Sequence, residues 1–191
     1  MSMLMFINVL FMTIIQIKST PVTNNIAKDL LKNSKFLPIL YYDKYHSMSI
    51  EHVYPKCYLK KEHYNDFHNM FKSSKYFNNL RSNYVFSDQK NISWISINND
   101  NYISHKHKLF NPRDCDKGII ARAILYMSYE YNYKLFMDKN ILYNWCIKYQ
   151  PTINEKFHNI KGYAIQGNHN IFISNYNKHN YFYFLKDYLY N

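Results

Sequence analysis

Glycine, arginine and glutamate are scarce in this chain, at 3, 3 and 4 of 191 residues, and proline (5) and cysteine (3) are little commoner. The lack of a Gly repeat excludes collagen, and the lack of a sustained heptad excludes a coiled coil. No Pro/Gly/Ser-rich linker follows residue 20, and no internal repeat is present. Cys57, Cys115 and Cys146 match no CxxC or zinc spacing. They allow at most one disulfide within the chain, and buried or free thiols are the simpler reading. Long apolar runs are also missing, with one exception. Met3 to Ile17 is 15 residues, short of the ~18 a membrane-spanning helix needs. It fits the apolar core of a signal peptide over residues 1–19, cut after Ser19, although no Lys or Arg precedes it. That reading makes the protein secreted or exported. An uncleaved anchor or a buried first helix is the other reading, with an intracellular or virion-associated protein as its consequence.

What is present suffices for one folded domain over residues 20–191. Hydrophobic residues make 47% of the chain and aromatics 19%, enough for a core and too many for a mainly disordered chain. Phe, Tyr, Met, Ile, Asn and Lys, all encoded by A/T-rich codons, total 109 residues, whereas Gly, Ala, Arg and Pro total 15. This skew bears on the charge of +11, which by itself points to nucleic acid or an anionic membrane. Lysine supplies 21 of the 24 basic residues, and A/T-rich codons supply lysine whatever the function.

Residues 36–50 read as extended or looped. Asn24 or Asn25 can cap a short helix carrying Ile26, Leu30 and Leu31. Ile92–Ile97 is a strand candidate from its β-branched content. Ile120, Ala123, Ile124 and Met127 recur at helical spacing and predict a helix over Lys117–Tyr131. Asp138 is placed to cap a second helix carrying Ile141, Leu142, Trp145, Cys146 and Tyr149, ended by Pro151. The aromatic tail Tyr181–Tyr190 reads as a packed edge.

Three pieces between Ser49 and Asp88 carry chemistry: Glu51-His52-Val53-Tyr54-Pro55, Asp66-Phe67-His68-Asn69-Met70, and Arg81-Ser82-Asn83-Tyr84-Val85-Phe86. A carboxylate such as Glu51 and an amide oxygen such as Asn83 suit Mg²⁺, which keeps several waters and so needs few protein ligands. A neutral histidine such as His52 can take a proton from water near pH 7. Spacing alone leaves the alternative of a Glu-His surface ion pair or a hydrogen-bonded histidine. The short run His105-Lys106-His107-Lys108 reads as a solvated loop or a phosphate contact.

These pieces resemble, in order, the motifs of the endonuclease I family of bacterial periplasmic and secreted nucleases. Two more motifs extend the resemblance to about residues 24–175. They are Phe110-Asn111-Pro112-Arg113-Asp114 with Lys117-Gly118 to Arg122-Ala123 and Tyr126-Met127, and Trp145, Pro151, Glu155 and Asn159 with Gln166-Gly167-Asn168 to Phe172. The resemblance implies an α+β fold, a His-Me finger (ββα-metal) nuclease core at about residues 48–88 embedded in a mainly helical body. Glu51 and His52 would end the first finger strand, Asp66–Met70 would lie on the second, and Asn78–Phe86 would begin or form the finger helix. His52 would be the general base, with Glu51 and Asn83 as ligands of one Mg²⁺ or another divalent ion. Asp66, His68 and Asn69 would support the site.

The implied activity is largely sequence-non-specific hydrolysis of DNA, with RNA as a further substrate, to 5′-phosphate products by a monomer without an obligate protein partner. The chain departs from the family pattern in having no Arg between His52 and Asp66, which leaves Arg81, Lys60 and Lys61 as phosphate-binding candidates. Lys72 and Ile171 also stand where the pattern has proline. The alternative is a catalytically inactive nucleic-acid-binding protein retaining the nuclease fold.

Overall fold

The computed structural model describes residues 35–42, 47–98 and 100–191. The expected signal peptide and the helix expected after Asn24 or Asn25 lie outside them. The described chain is α+β, as expected. A first sheet has β3 (Met70–Ser74) at its centre, antiparallel to β2 (Met48–His52) and parallel to the two-residue β1 (Ile39–Leu40). The β2–β3 register pairs Glu51 with Phe71 and His52 with Met70. Helix α1 (Lys75–Arg81) follows β3 directly and packs on both strands, completing a strand–strand–helix unit. A second sheet runs in the order β4 (Val85–Phe86), β7 (Leu109–Asn111), β6 (Tyr102–Ser104), β5 (Ile95–Ser96).

The helical body follows as α2 (Asp114–Tyr131), α3 (Lys139–Lys148), α4 (Ile153–Gln166), α5 (Ile171–Ser174) and α6 (Tyr181–Tyr190). Helix α2 is the central post. It is buried from Asp116 to Ser128, not on one stripe, because other elements surround it. Its three buried charges are neutralised locally: Asp116 by a two-pronged contact from Arg113, Lys117 by Asp114 at 2.7 Å, and Arg122 by Glu155 of α4, with both nitrogen–oxygen distances 2.6 Å. The oxygen of Asp138 accepts from the amides of Asn140 and Ile141, so the expected cap of α3 is formed. Thr152 does the same for α4, which Gly167 ends in the left-handed region at φ 83°.

Three expectations about local structure are corrected. The strand foreseen over Ile92–Ile97 shrinks to Ile95–Ser96, because these residues form an exposed edge with little to pack against. Asp66–Asn69 does not lie on the second strand. Asp66 accepts from the amide of His68 and caps a 3₁₀ turn over Phe67–Asn69, so the strand begins only at Met70. The helix of the unit ends at Arg81, short of Asn83 and Phe86. Ser82, at φ 51° and ψ −118°, cannot continue it. The aromatic tail packs as helix α6, whose Tyr181, Leu185 and Leu189 recur every fourth residue on its buried face. Full burial of each such side chain contributes about 1.5–3 kcal/mol.

Candidate active site

Strand β2 ends at His52 because the chain is turned away there. Asn69 clamps the departing segment: its Oδ1 accepts from the Tyr54 amide (2.7 Å) and its Nδ2 donates to the Tyr54 carbonyl (3.0 Å). The Val53 amide donates to the Asn69 carbonyl (3.1 Å). Asn69 is thus a clamp on the backbone two residues beyond His52.

Successive residues on β2 face opposite ways, and Glu51 and His52 have different environments. Glu51 is 1% exposed. Its Oε1 takes the guanidinium Nη1 of Arg81 at 2.8 Å and accepts from the Tyr41 hydroxyl at 3.3 Å. Both contacts fall on Oε1, so Oε2 is the oxygen through which Glu51 could meet a cation. Burial pushes the Glu51 carboxyl up to about 7, against the opposing pull of Arg81 and the Tyr41 hydrogen bond. His52 is half-buried, with Nε2 2.9 Å from the backbone carbonyl of Tyr64. A carbonyl only accepts, so Nε2 carries the proton and Nδ1 keeps the ring's lone pair.

Asn83 reaches the same place by the sharp turn at Ser82. Its Nδ2 donates to the Tyr58 hydroxyl (3.1 Å), and its amide oxygen is the group it can offer a cation. Glu51, His52 and Asn83 line one open cleft together with Lys56, Cys57, Asn78, Asn79 and Ser82. Asn78 ties α1 to β2, its Nδ2 donating to the Ser49 hydroxyl (2.9 Å) and the Ile50 carbonyl (3.1 Å).

The phosphate-binding candidates fare differently. Arg81 borders the cleft but is 1% exposed, and both of its terminal nitrogens are engaged within the fold. Besides Glu51, its Nη1 donates to the His52 carbonyl (3.1 Å) and its Nη2 to the Val53 carbonyl (2.6 Å). Arg81 is thus built in as the partner of Glu51 and of the end of β2. Lys60 and Lys61 are exposed on a 3₁₀ turn but do not line the cleft. Lys56 does line it, with its ammonium 4.5 Å above the Tyr64 ring.

Asp66 and His68 stand behind the site. Asp66 Oδ2 accepts from the hydroxyls of Tyr126 (2.8 Å) and Tyr131 (2.5 Å) and from Gln166 Nε2 (3.1 Å), binding the segment before β3 to α2 and α4. Buried His68 donates through Nε2 to the Asn168 carbonyl (2.9 Å), and burial lowers its basicity. The amide side chains of Gln166, Asn168 and Asn170 all serve bonds within the fold.

The sequence reading missed Tyr41, whose hydroxyl meets Glu51 and whose backbone amide donates to Asp116 (2.8 Å). It sits at φ 52° in a stretch that carries no periodic signal. The Tyr64 carbonyl was equally invisible, since a backbone oxygen leaves no mark on residue type.

The fold and the cleft together define an α+β protein that sets Glu51 and His52 on a strand–strand–helix unit, with a helical body behind it. The chain belongs to the endonuclease I family, whose model, described as Endonuclease I, matches residues 40–177. Among curated proteins it is similar to Endonuclease-1 of Buchnera aphidicola subsp. Baizongia pistaciae (strain Bp). The two are 33% identical over 115 residues, 56% of this chain and 45% of that protein. The chain therefore spans less than half the length of this curated relative.

Proposed function

We propose that the protein is a metal-dependent endonuclease that hydrolyses DNA phosphodiester bonds with little sequence preference, RNA being a second substrate, and leaves 5′-phosphates. The observation that carries this reading is the cleft. A histidine with its tautomer set by a backbone carbonyl stands beside a buried carboxylate and an exposed amide on a strand–strand–helix unit. The family supports the same reading, and the relative's name, Endonuclease-1, agrees with it.

The donor set fits a hard cation. Glu51 Oε2 and the Asn83 amide oxygen are both oxygens, and two protein ligands suffice for Mg²⁺, which retains water. Among the described residues no cluster of three or more His, Cys, Asp or Glu offers a softer or fuller site. When bound, the ion supplies charge neutralisation for the phosphoryl oxygens and the leaving 3′ oxygen. The chain's own residues do the rest. Tyr64 holds the Nε2 proton of His52, so Nδ1 is the atom that takes a proton from the attacking water. Arg81 keeps Glu51 in register and anchors the carbonyls of His52 and Val53. Lys56 contributes positive charge at the cleft wall as a point charge and not a fork.

The test is supercoiled plasmid with Mg²⁺, wild type against His52→Ala. Nicking by wild type and its loss in the variant are expected, and intact plasmid with both across several divalent ions would overturn the reading. The commitment of Arg81 to Glu51 favours one rival, a nucleic-acid-binding protein without turnover; salt-sensitive binding without cleavage would select it. The apolar Met3–Ile17 run supports export, which a mature N-terminus at Thr20 by mass spectrometry would establish.

A further inference from the structure

The basic run His105 to Lys108 forms the tip of the β6–β7 hairpin, and its position in the fold gives it a role. All four residues are exposed. Lys108 takes the left-handed conformation at φ 52° and closes the tip by donating its amide to the His105 carbonyl (3.3 Å). Strand β7 pairs in parallel with β4, which begins two residues after Asn83. The Val85 amide donates to the Lys108 carbonyl (3.0 Å), and the Tyr84 hydroxyl meets His105 Nδ1 at 3.2 Å. The tip is therefore fastened to the two residues that follow the cleft's amide ligand. Two residues of extended chain span about 7 Å. Phosphates recur about every 3.4 Å along each DNA strand, so a nucleic acid seated in the cleft passes the tip within a few nucleotides. Lys106 and Lys108 make no ion pair among the described residues, so their charge is available to a partner.

We propose that this hairpin tip is a second contact with the DNA backbone, lying beside the scissile phosphate and holding the flanking strand through Lys106 and Lys108. The inference rests on the endonuclease reading of the cleft. It explains how a site whose arginine is locked on its own carboxylate still retains a polyanion: the grip is displaced onto a neighbouring hairpin.

The test is a salt titration of binding to a short fluorescent DNA duplex, in EDTA so that no strand is cut, comparing wild type with the double variant Lys106→Gln/Lys108→Gln. Lys178→Gln/Lys186→Gln, at the exposed C-terminal end, is the control of equal charge. Losing two phosphate contacts lowers the slope of log affinity against log salt by about 2, and weakens binding on the order of tenfold at 50 mM salt. The control keeps the wild-type slope. An unchanged slope in the hairpin variant, or an equal loss in both variants, overturns the proposal. The cleavage assay separates the two readings. A wild type that cuts plasmid while the hairpin variant binds normally sinks the hairpin and leaves the enzyme. A wild type that binds without cutting, and loses affinity in the hairpin variant, sinks the enzyme and leaves the hairpin.

Discussion

Arg81→Lys retains the positive charge and removes only the fork. Besides the Ser82 carbonyl of the next residue (3.3 Å), the arginine serves three acceptors at the end of β2: Glu51 Oε1 at 2.8 Å, the His52 carbonyl at 3.1 Å and the Val53 carbonyl at 2.6 Å. A lysine ammonium on its flexible stem cannot span all three. If it stays on Glu51, the two carbonyls lose a charged donor; each buried acceptor left unmade costs about 1–3 kcal/mol. The expected destabilisation is therefore about 3 kcal/mol, read as a lower urea midpoint at unchanged m. The damage falls on the carbonyl of His52 itself, so cleavage at saturating substrate should drop further than unfolding explains, measured where the variant is still fully folded. A variant within about 0.5 kcal/mol of wild type, cutting at the wild-type rate, would refute the claim that Arg81 organises the end of β2.

Removing a charge at the same pair has a signed pH dependence. The Glu51 carboxyl is raised from 4.5 to about 7, so its folded form prefers the proton and its contribution to stability falls as pH rises through that window. Glu51→Gln should flatten this part of the stability profile between pH 4.5 and 7, as followed by urea unfolding. His158, stacked between Phe67 and Phe71, has the opposite sign. Burial lowers it from 6.5 to about 3, so the folded state refuses a proton that the unfolded chain accepts, and stability is lost as pH falls through that range, by at most on the order of 5 kcal/mol. His158→Phe should be less sensitive to acid, and an unchanged acid limb would exclude this histidine as its source. Gly162→Ala should destabilise by about 1–2 kcal/mol. Its methyl would lie 2.8 Å from both ring nitrogens of His68, an overpacking that outweighs the ~1 kcal/mol helix-propensity gain, and a thermal shift upward would contradict this. Glu155→Ala leaves Arg122 charged in the core and should cost about 3–5 kcal/mol in urea unfolding.

The parts of the fold legible in the sequence were those with local signals. Helix α2 announced itself by periodicity, although the pattern did not show that α2 is buried on every side. Helix α3 announced itself by Asp138, whose capping bonds run within three residues. The ordered motifs carried Glu51, His52 and Asn83 to one cleft, which spacing alone could not do. What stayed hidden was long-range or backbone-borne. Tyr41 meets Glu51 from a segment without periodicity. The Tyr64 carbonyl that sets the His52 tautomer belongs to no residue type. The contacts of Arg81 with Glu51 and two backbone carbonyls were hidden too, because sequence position does not say which way a guanidinium points.

The chain's three arginines share one circumstance. Arg81, Arg113 and Arg122 each hold a carboxylate, Glu51, Asp116 and Glu155 respectively, and the latter two do so with both prongs. An arginine codon of the AGA or AGG kind becomes a lysine codon by a single G-to-A change, the direction in which an A/T-rich gene is pressed. At exposed positions that change is nearly silent, whereas at these three it removes a fork from a buried acceptor. Mutational drift should therefore meet its firmest resistance at these codons, and a library of random G-to-A changes selected for folding should recover lysine at 81, 113 and 122 far less often than chance supplies it.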